Sequence, residues 1–227
     1  MSTDLALARL LQLASPTLPV GAYSYSQGLE AAVEAGVVGD AASAGAWIGD
    51  VLAFGVARLE APLWWRLHAA WSADDLERVA HWNDLFRSTR ECAELRAETL
   101  QMGYSLQRLL LEIGAFDRRS LAQLRGITDI TFPAAFSFAV VKWEIPARSA
   151  LIAYLWAWLE NQVMAALKSV PLGQTDGQRL LLSLSALLPA IADGACALGD
   201  DELCNYTPAF AILCSRHETQ YSRLFRS

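Results

Sequence analysis

The side chains of this sequence that are best suited to metal chemistry are its three histidines. The segment His217-Glu218-Thr219-Gln220 resembles the start of a zinc-protease helix, in which a second histidine follows four residues after the first. Residue 221 is a tyrosine, so this motif is incomplete. His68 and His81 have no Cys or His at the close spacing of a metal site. Isolated surface or capping roles are therefore predicted for all three histidines, and no metal site is predicted.

Nucleophilic and nucleotide chemistry also lack their motifs. The sequence contains no Gly-rich phosphate loop ending in Lys-Ser/Thr and no G-x-S-x-G nucleophile elbow. Ser24 and Ser26 have no histidine nearby in sequence, and helix capping explains at least Ser24 more simply. The cysteines show no close-spaced pairs and are expected to be buried free thiols: Cys92, Cys196, Cys204 and Cys214. These motifs therefore provide no candidate catalytic residue and no cofactor site.

Three carboxylates, Glu91, Glu94 and Glu98, cluster on one predicted helix. Glu94 and Glu98 are four residues apart and repel each other unless a basic group compensates. Arg87 and Arg90 precede Glu91 and Glu94 by four residues, which favours a solvated, ion-paired face. An acidic ridge that docks a partner is the alternative.

The C-terminus is unusually apolar for the end of a chain. Tyr221, Leu224 and Phe225 have the spacing i, i+3, i+4, with Arg223 and Arg226 between and after them. A helical tail would place the three apolar side chains on one face. Such a segment is too short to be stable alone in water. It is therefore expected to become ordered against a partner or to fold back on its own core, and the residues alone favour neither.

The composition limits the classes of protein that fit. Of 227 residues, 54% are hydrophobic and 19% are charged, with a formal net charge of −6. The negative charge argues against general nucleic-acid binding, which needs a basic face. The apolar runs Ala150–Leu159 and Leu180–Ala192 are shorter than the ~20 residues of a membrane span, and the N-terminus lacks the pattern of a signal peptide. A cytoplasmic protein is expected, with no membrane insertion and with surplus apolar surface for a protein partner.

Helical periodicity covers almost the whole chain, which predicts one all-α domain over residues 1–227. About nine or ten helices are expected, with a flexible C-terminal tail at 217–227. Only Ile127–Phe132 favours a strand, and it has no evident partner strand. Capping boxes are predicted at Ser24–Gln27 and Thr175–Gln178. The principal predicted helices are Leu5–Leu11, Ser24–Gly36, Ser43–Phe54, Pro62–Trp71, 76–86, Arg90–Gly114, 117–125, Pro133–Glu144, Ala147–Val170, Gln178–Leu198 with a kink at Pro189, and Pro208–Tyr221.

Two segments carry more conformational detail than plain connections need. Ser15–Glu30 contains two prolines, two glycines and two tyrosines between short helices. In Lys168–Gln178 the proposed capping box accounts for Thr175 and Gln178 but leaves Lys168 and Gln174 without a local role. Ordinary surface polarity is the simpler interpretation of those two residues.

Four segments together resemble the urease accessory protein family UreF. They are Ser15–Glu30, the helix from Arg90 to Gly103, Pro171–Gln178 and the tail from Arg216 to Ser227. These motifs are specific in combination rather than singly. The resemblance is weakest in residues 38–80 and 193–207, from which no residue role is transferred.

The resemblance implies an all-helical, dimer-forming chaperone subunit without catalytic residues. Relatives of this kind bind a second accessory subunit, UreD (also called UreH), and the GTPase UreG, and the assembly delivers nickel into apo-urease with GTP hydrolysis by UreG. Five residues of this chain are then expected to dock onto the UreD-type partner: Tyr221, Arg223, Leu224, Phe225 and Arg226. Four are expected to face the GTPase: Glu30, Lys168, Gln174 and Asp176.

Two other functions compete with this interpretation. A helical enzyme or small-molecule-binding protein would use a pocket lined by tryptophans, and a metabolite would then stabilise it against heat. A peripheral membrane protein would use its apolar helices, but these lack the basic polar faces that such helices carry.

Overall fold

Helices form all the regular secondary structure of residues 3–226, the part of the chain that the computed structural model describes. The all-α prediction is confirmed. The α-helices are α1 (Thr3–Ala14), α2 (Leu29–Glu34), α3 (Ala41–Asp50), α4 (Ala61–Ser72), α5 (Leu76–Ser88), α6 (Ala93–Glu112), α7 (Arg118–Gly126), α8 (Phe132–Lys142), α9 (Ala147–Ser169), α10 (Gln174–Ser185), α11 (Leu188–Ala197) and α12 (Pro208–His217). Two 3₁₀ turns, Ala22–Ser24 and Asp200–Glu202, and one π-helix, Val51–Glu60, complete the set.

The π-helix joins α3 to α4, so that one continuous rod replaces the two separate helices predicted around Pro62. Proline has no N–H and clashes with a carbonyl one turn earlier in an α-helix. The wider π register leaves carbonyls available for other partners. Phe54 accepts a hydrogen bond from the Tyr206 amide at 3.2 Å, and Arg58 accepts one from the Cys204 amide at 3.4 Å. The π-helix therefore anchors the connection between α11 and α12.

The core is built around α8, which packs against α4, α6 and α9. Eight consecutive residues of α8, 133–140, are buried, so this helix has no solvated face. The indole N–H of Trp71 on α4 donates to the Ala134 carbonyl at 3.0 Å. Phe136 and Tyr154 meet edge to face with ring centroids 5.3 Å apart, which ties α8 to α9. The Trp71 hydrogen bond and the aromatic packing thus fix the positions of α4 and α9 relative to α8.

The segment predicted to favour a strand, 127–132, connects α7 to α8 instead. Asp129 has a φ of 47°, which an extended strand cannot accommodate. The amide of Thr131 donates to Asn83 Oδ1 at 2.8 Å, and that of Phe132 donates to Thr99 Oγ1 at 3.2 Å. Two backbone amides of this segment thus donate to side chains of neighbouring helices, α5 and α6, rather than to a second strand.

Several predicted helix boundaries are wrong by a few residues for physical reasons. Helix α10 begins at Gln174 behind Gly173, so the predicted Thr175–Gln178 capping box lies inside the helix. The predicted helix Gln178–Leu198 is two helices, with Pro189 in the first turn of α11. A proline fits there because the first amides of a helix have no intrahelical acceptor.

The stretch Gln174–Ala197 is, by length and composition, long and apolar enough to cross a membrane. In the fold it comprises α10 and α11, which pack on α9 and on the rod through α3 and α4. Leu182 is 77% exposed and Leu187 45%. The pair of helices therefore presents an apolar outer face.

Candidate functional site

The Ser15–Glu30 segment forms an irregular turn that leads into α2. Ser24 lies in a 3₁₀ turn and α2 starts only at Leu29, so the predicted capping box at Ser24 is wrong. Gly28 precedes the helix with a φ of 76°, and a Cβ there would lie 2.8 Å from Cys214 Sγ. A glycine is needed on both counts. The turn therefore packs closely against α12 at Cys214. Glu30, two residues after Gly28, also contacts α12, at His217.

Glu30 is a buried carboxylate, 7% exposed, that binds the backbone of residues 224 and 225 near the C-terminus. Its Oε1 accepts from the Leu224 amide at 2.7 Å, and its Oε2 accepts from the Phe225 amide at 3.0 Å. The same Oε2 lies 3.2 Å from His217 Nε2. Hydrogen bonds to an ionised acceptor are stronger than those between neutral groups. Glu30 therefore fixes the path of residues 223–226.

Glu94, from the first turn of α6, forms the second anchor. Its Oε2 lies 2.6 Å from His217 Nδ1, and its Oε1 accepts from Arg223 Nη1 at 2.7 Å. Glu218 Oε1 accepts from the Ala93 amide at 2.8 Å, at the N-terminus of α6. The predicted ion-paired, solvated acidic face is wrong. Glu94 lies under the C-terminal residues, and Glu98 is buried beside Gln27. Arg87 and Arg90 pair with Asp129 and Glu60 instead.

We call residues 218–226 the C-terminal segment, and it is not helical. Helix α12 ends at His217, four residues before the predicted end at Tyr221. The Arg226 amide donates to the Ser24 carbonyl at 2.8 Å. Phe225 is buried, with the Lys168 ammonium 5.4 Å from its ring centroid. The segment therefore folds back on the helical core in this chain.

The C-terminal segment has two different faces. Phe225, Arg223 and the backbone of Arg226 face the core, whereas Tyr221 is fully exposed and Leu224 is 73% exposed. The helical arrangement that would place Tyr221, Leu224 and Phe225 on one face is therefore wrong. Burial raises the pKa of Tyr25, with the Glu98 charge adding to it, while a hydrogen bond with Arg226 opposes the rise.

The four residues expected to face the GTPase fall into two groups. Glu30 and Lys168 contact the C-terminal segment, on its backbone and on Phe225 respectively. Gln174 and Asp176 lie in the first turn of α10, where Asp176 is paired with Arg179 at 2.9 Å. The resemblance implies one set of residues for each partner. In the structure Glu30, from the set expected to face the GTPase, is hydrogen-bonded to the C-terminal segment, which holds the other set.

A cavity of about 270 Å³ lies beside this region, between the proline-containing turn, α6 and α9. It contains a buried polar network. Glu60, the last residue of the π-helix, pairs with Arg90 at 3.1 Å and accepts from the Tyr154 hydroxyl at 2.6 Å. Glu98 accepts from Gln27 Nε2 at 2.7 Å. Burial and then the Glu60 charge raise the pKa of Tyr154, so its hydroxyl stays protonated as a donor.

Cys92 and Cys214 form a buried pair of free thiols that joins α6 to α12. Cys92 Sγ also accepts from the Leu95 amide at 3.4 Å as the N-cap of α6. The hydrogen bond from Cys214 lowers the pKa of Cys92 to about 7, although burial opposes it. The same contact, with burial, raises the pKa of Cys214. Cys92 is therefore the more acidic thiol.

The Cys92 thiolate is expected to make folding stability depend on pH between about 7 and 9. A thiol with a depressed folded pKa stabilises the fold above its unfolded pKa and loses that effect as pH falls through the folded value. The free energy of unfolding, measured with urea, should therefore rise over this window relative to Cys92→Ser. Serine retains the N-cap acceptor. If the free energies of unfolding of the two proteins change in parallel with pH, the lowered pKa assigned to Cys92 is contradicted.

Comparison with known proteins gives a consistent result over the chain. The family model for UreF matches residues 38–185. The urease accessory protein UreF of Azoarcus sp. (strain BH72) is 58% identical over 225 residues, covering 98% of this chain and 96% of the relative. That of Dechloromonas aromatica (strain RCB) is 54% identical over 228 residues, with both chains fully covered.

The chain belongs to the UreF family. It is thus a member of a family of urease accessory proteins, as the four resembling segments predict. The UreF family model includes residues 38–80, where the motif resemblance is weakest. The matches to the two relatives cover 98% and 100% of this chain.

Sequence reasoning missed His217 and misjudged Glu94. His217 is completely buried and contacts carboxylates 187 and 123 residues away in sequence. A surface or capping role for it is wrong. The available signal was the i, i+4 spacing of Glu94 and Glu98, two acidic groups that need basic compensation. Sequence spacing could not show that the compensation for Glu94 comes from the other end of the chain.

Proposed function

We propose that this UreF-family chain is a urease maturation chaperone subunit that bridges a UreD/UreH-type accessory protein and the GTPase UreG. The assembly would insert nickel, as cargo, into apo-urease in a GTP-dependent manner. The chain would act in the cytoplasm, by binding other proteins and without catalysis. The observation that supports this best is the two-faced C-terminal segment, which is pinned to the core and exposes Tyr221 and Leu224.

The exposed face of the C-terminal segment is the proposed site for the UreD/UreH-type partner. Aromatic and aliphatic side chains held in a fixed position are effective anchors, because little rotational freedom is lost on binding. Tyr221 and Leu224 would contact the partner directly. Arg223, Phe225 and Arg226 would act mainly by holding the segment on the core.

The GTPase would bind next to this segment, at Lys168, Gln174 and Asp176, with Glu30 acting through the tail that it holds. The position of Lys168 supports this arrangement, because its ammonium lies over Phe225 and its helix leads directly to α10. One partner's contact with the tail would then influence the surface offered to the other.

A homodimer would provide two copies of each surface. Leu7 and Leu11, four residues apart on α1, are 55% and 64% exposed, which supplies an apolar stripe suited to self-association. Sedimentation of the purified chain tests this, with Leu7→Arg/Leu11→Arg as the disrupting variant. If the variant sediments with the same mass as the unmodified chain, α1 does not form the dimer interface.

The direct test of the proposed function is co-purification from cells that express a urease gene cluster. The intact chain should retain the UreD/UreH-type protein and UreG, and cells without it should fail to mature active urease. Full urease activity in its absence would exclude the proposal.

Reversing the charge of Lys168 is expected to weaken recruitment of the GTPase by about tenfold, because like charges at an interface slow association and repel. The readouts are UreG retention and urease activation. Lys168→Met is the matched control, since it removes the contact with Phe225 without adding a negative charge. Arg125→Glu, on α7, reverses an exposed charge elsewhere. Normal UreG retention by Lys168→Glu would count against this interface.

A small-molecule-binding function is the second candidate, and the 270 Å³ cavity favours it. Apolar walls combined with a few buried polar groups are typical of ligand sites. A metabolite that raises the melting temperature of the purified chain would support it, and failure of the chain to bind any urease accessory protein would promote it over the chaperone function.

A further inference from the structure

The cavity of about 270 Å³ between the proline-containing turn, α6 and α9 has the size of a small organic molecule. Its wall is largely apolar, with Leu18 from the turn, Met102 from α6, and Ala157 and Trp158 from α9. An engineered apolar cavity of about 150 Å³ holds one benzene molecule. In proportion, this cavity takes about ten non-hydrogen atoms, which corresponds to a benzene ring with a short side chain.

Most polar groups on the cavity wall pair with one another. Gln27 donates to Glu98 at 2.7 Å and accepts from the Trp158 indole N–H at 2.7 Å. Both oxygens of the Glu60 carboxylate are also engaged, one of them by Arg90 Nη1 at 3.1 Å. These groups shape the cavity and have their hydrogen bonds without a ligand.

Arg90 differs from the other polar groups of the wall. Its Nε–H is buried and has no hydrogen-bond acceptor within residues 3–226. The side chain is fixed by Glu60 and by the Phe86 ring, whose centroid lies 4.2 Å from Arg90 Cζ. A buried donor without an acceptor is costly, and more so when the group is charged. An acceptor atom of a molecule in the cavity would remove this cost.

The charges on the wall determine which kind of acceptor fits. Counted over the described part of the chain, they are three carboxylates and two cations: Glu60, Glu98, Glu160, Arg90 and Lys168. Burial raises the pKa of Glu160, and even its neutral form leaves no excess of positive charge. An anionic ligand would therefore lack compensation in a buried site. An ammonium ligand offers no acceptor to Arg90, whereas a carbonyl or hydroxyl oxygen accepts without adding a charge.

We propose that this cavity binds a neutral, mainly apolar molecule of about ten non-hydrogen atoms, whose single carbonyl or hydroxyl oxygen accepts from Arg90 Nε–H. The inference rests on the second candidate function, that the cavity takes a small molecule, and it is independent of the chaperone function. The apolar body of the ligand packs against Met102, Ala157 and Trp158. Because the ligand binds only the folded chain, it raises the melting temperature.

Four probes of similar shape test this chemistry on the intact chain: benzylacetone, butylbenzene, phenylbutyrate and phenylbutylamine. They differ only in carrying a ketone, no polar group, a carboxylate or an ammonium at the end of the side chain. Titration calorimetry should show that benzylacetone binds at least about tenfold more tightly than the other three, because only its oxygen is both an acceptor and uncharged.

The Arg90 Nε–H signal in the ¹⁵N spectrum gives a direct measurement of the same contact. It should shift with benzylacetone and stay in place with butylbenzene. Arg90→Lys, which keeps a cation beside Glu60, identifies this signal by its loss. Equal binding of benzylacetone and butylbenzene would overturn the proposal. It would indicate that an acceptor in the smaller pocket of about 20 Å³, which Arg90 also lines, already binds this N–H.

Two leucine substitutions on α9 locate the bound probe. Ala157 lines the cavity, whereas Ala153, one turn earlier and also half-buried, does not. Ala157→Leu should weaken benzylacetone binding at least about tenfold by filling the cavity, and Ala153→Leu should leave it unchanged. Unchanged binding by a folded Ala157→Leu overturns the proposal. If that variant does not fold, the Arg90 signal of the unmodified chain still decides.

The remaining outcomes separate this inference from the functions proposed above. Tightest binding of phenylbutyrate or phenylbutylamine overturns the neutral ligand chemistry and leaves the second candidate function standing. Absence of binding by all four probes removes both. Co-purification of the UreD/UreH-type partner tests the chaperone function separately, and its failure does not affect the ligand site.

Discussion

Removing residues 218–227 is expected to abolish co-purification of the UreD/UreH-type partner while leaving the far-ultraviolet circular dichroism spectrum unchanged. Helix α12 ends at His217, so the truncation removes no helical turn. It does remove both exposed anchors, Tyr221 and Leu224. Anchor residues of this type each contribute about 2 kcal/mol or more, so affinity should fall at least about a hundredfold.

A double variant, Tyr221→Ala/Leu224→Ala, tests whether the outer face carries the interaction. It leaves Phe225, the Glu30 contacts and the Glu94 contacts in place, so the segment stays on the core. The loss of partner should approach that of the truncation. Tyr206→Ala, an exposed tyrosine outside the segment, is the control. Retention of the partner by the truncated chain would refute the proposed binding site.

Replacing Gly103 by alanine is expected to lower the free energy of unfolding by about 3 kcal/mol or more. Gly103 lies in α6 where this helix crosses the connection into α8. A Cβ there would lie 2.6 Å from the Thr131 carbonyl carbon, closer than real atoms approach. The obstacle is backbone whose amide is fixed by Asn83, so it cannot rotate away as a side chain would. Urea denaturation measures the loss.

Gly194→Ala is the matched control for this substitution. Gly194 is also a helical glycine, in α11, and a Cβ at its position meets no atom within 4 Å. Alanine there should stabilise the chain by up to about 1 kcal/mol through helix propensity alone. Equal effects of the two substitutions would show that the close crossing of α6 is not a constraint.

Much of the architecture could be predicted because helical periodicity is a local property. The long helix around Glu98, the apolar α8 and the order of elements follow from i, i+3, i+4 patterns. The boundaries that were wrong depend on tertiary contacts. Pro62 is typical of the start of a new helix, yet a π-helix precedes it without a break. The Phe54 and Arg58 carbonyls of this π-helix accept from the amides of Tyr206 and Cys204.

The site was predictable in its parts and not in its arrangement. The turn before α2, Lys168 and the C-terminal segment stand out by composition. Sequence does not reveal that Glu30 and the tail, nearly 200 residues apart, are hydrogen-bonded partners. Nor does it reveal that His217 lies between them and α6. Long-range pairing of buried charges leaves no periodic signal, since each residue alone resembles ordinary surface polarity.

The π-helix restricts where the chain tolerates insertions and deletions. Losing one residue between Val51 and Glu60 would turn everything downstream by about 100° around the rod axis. The Glu60 carboxylate would then point away from Arg90 and Tyr154, and two supports of the loop before α12 would vanish together. Alignments with homologues of different length should therefore place their gaps outside residues 51–60, in loops such as the one between α6 and α7.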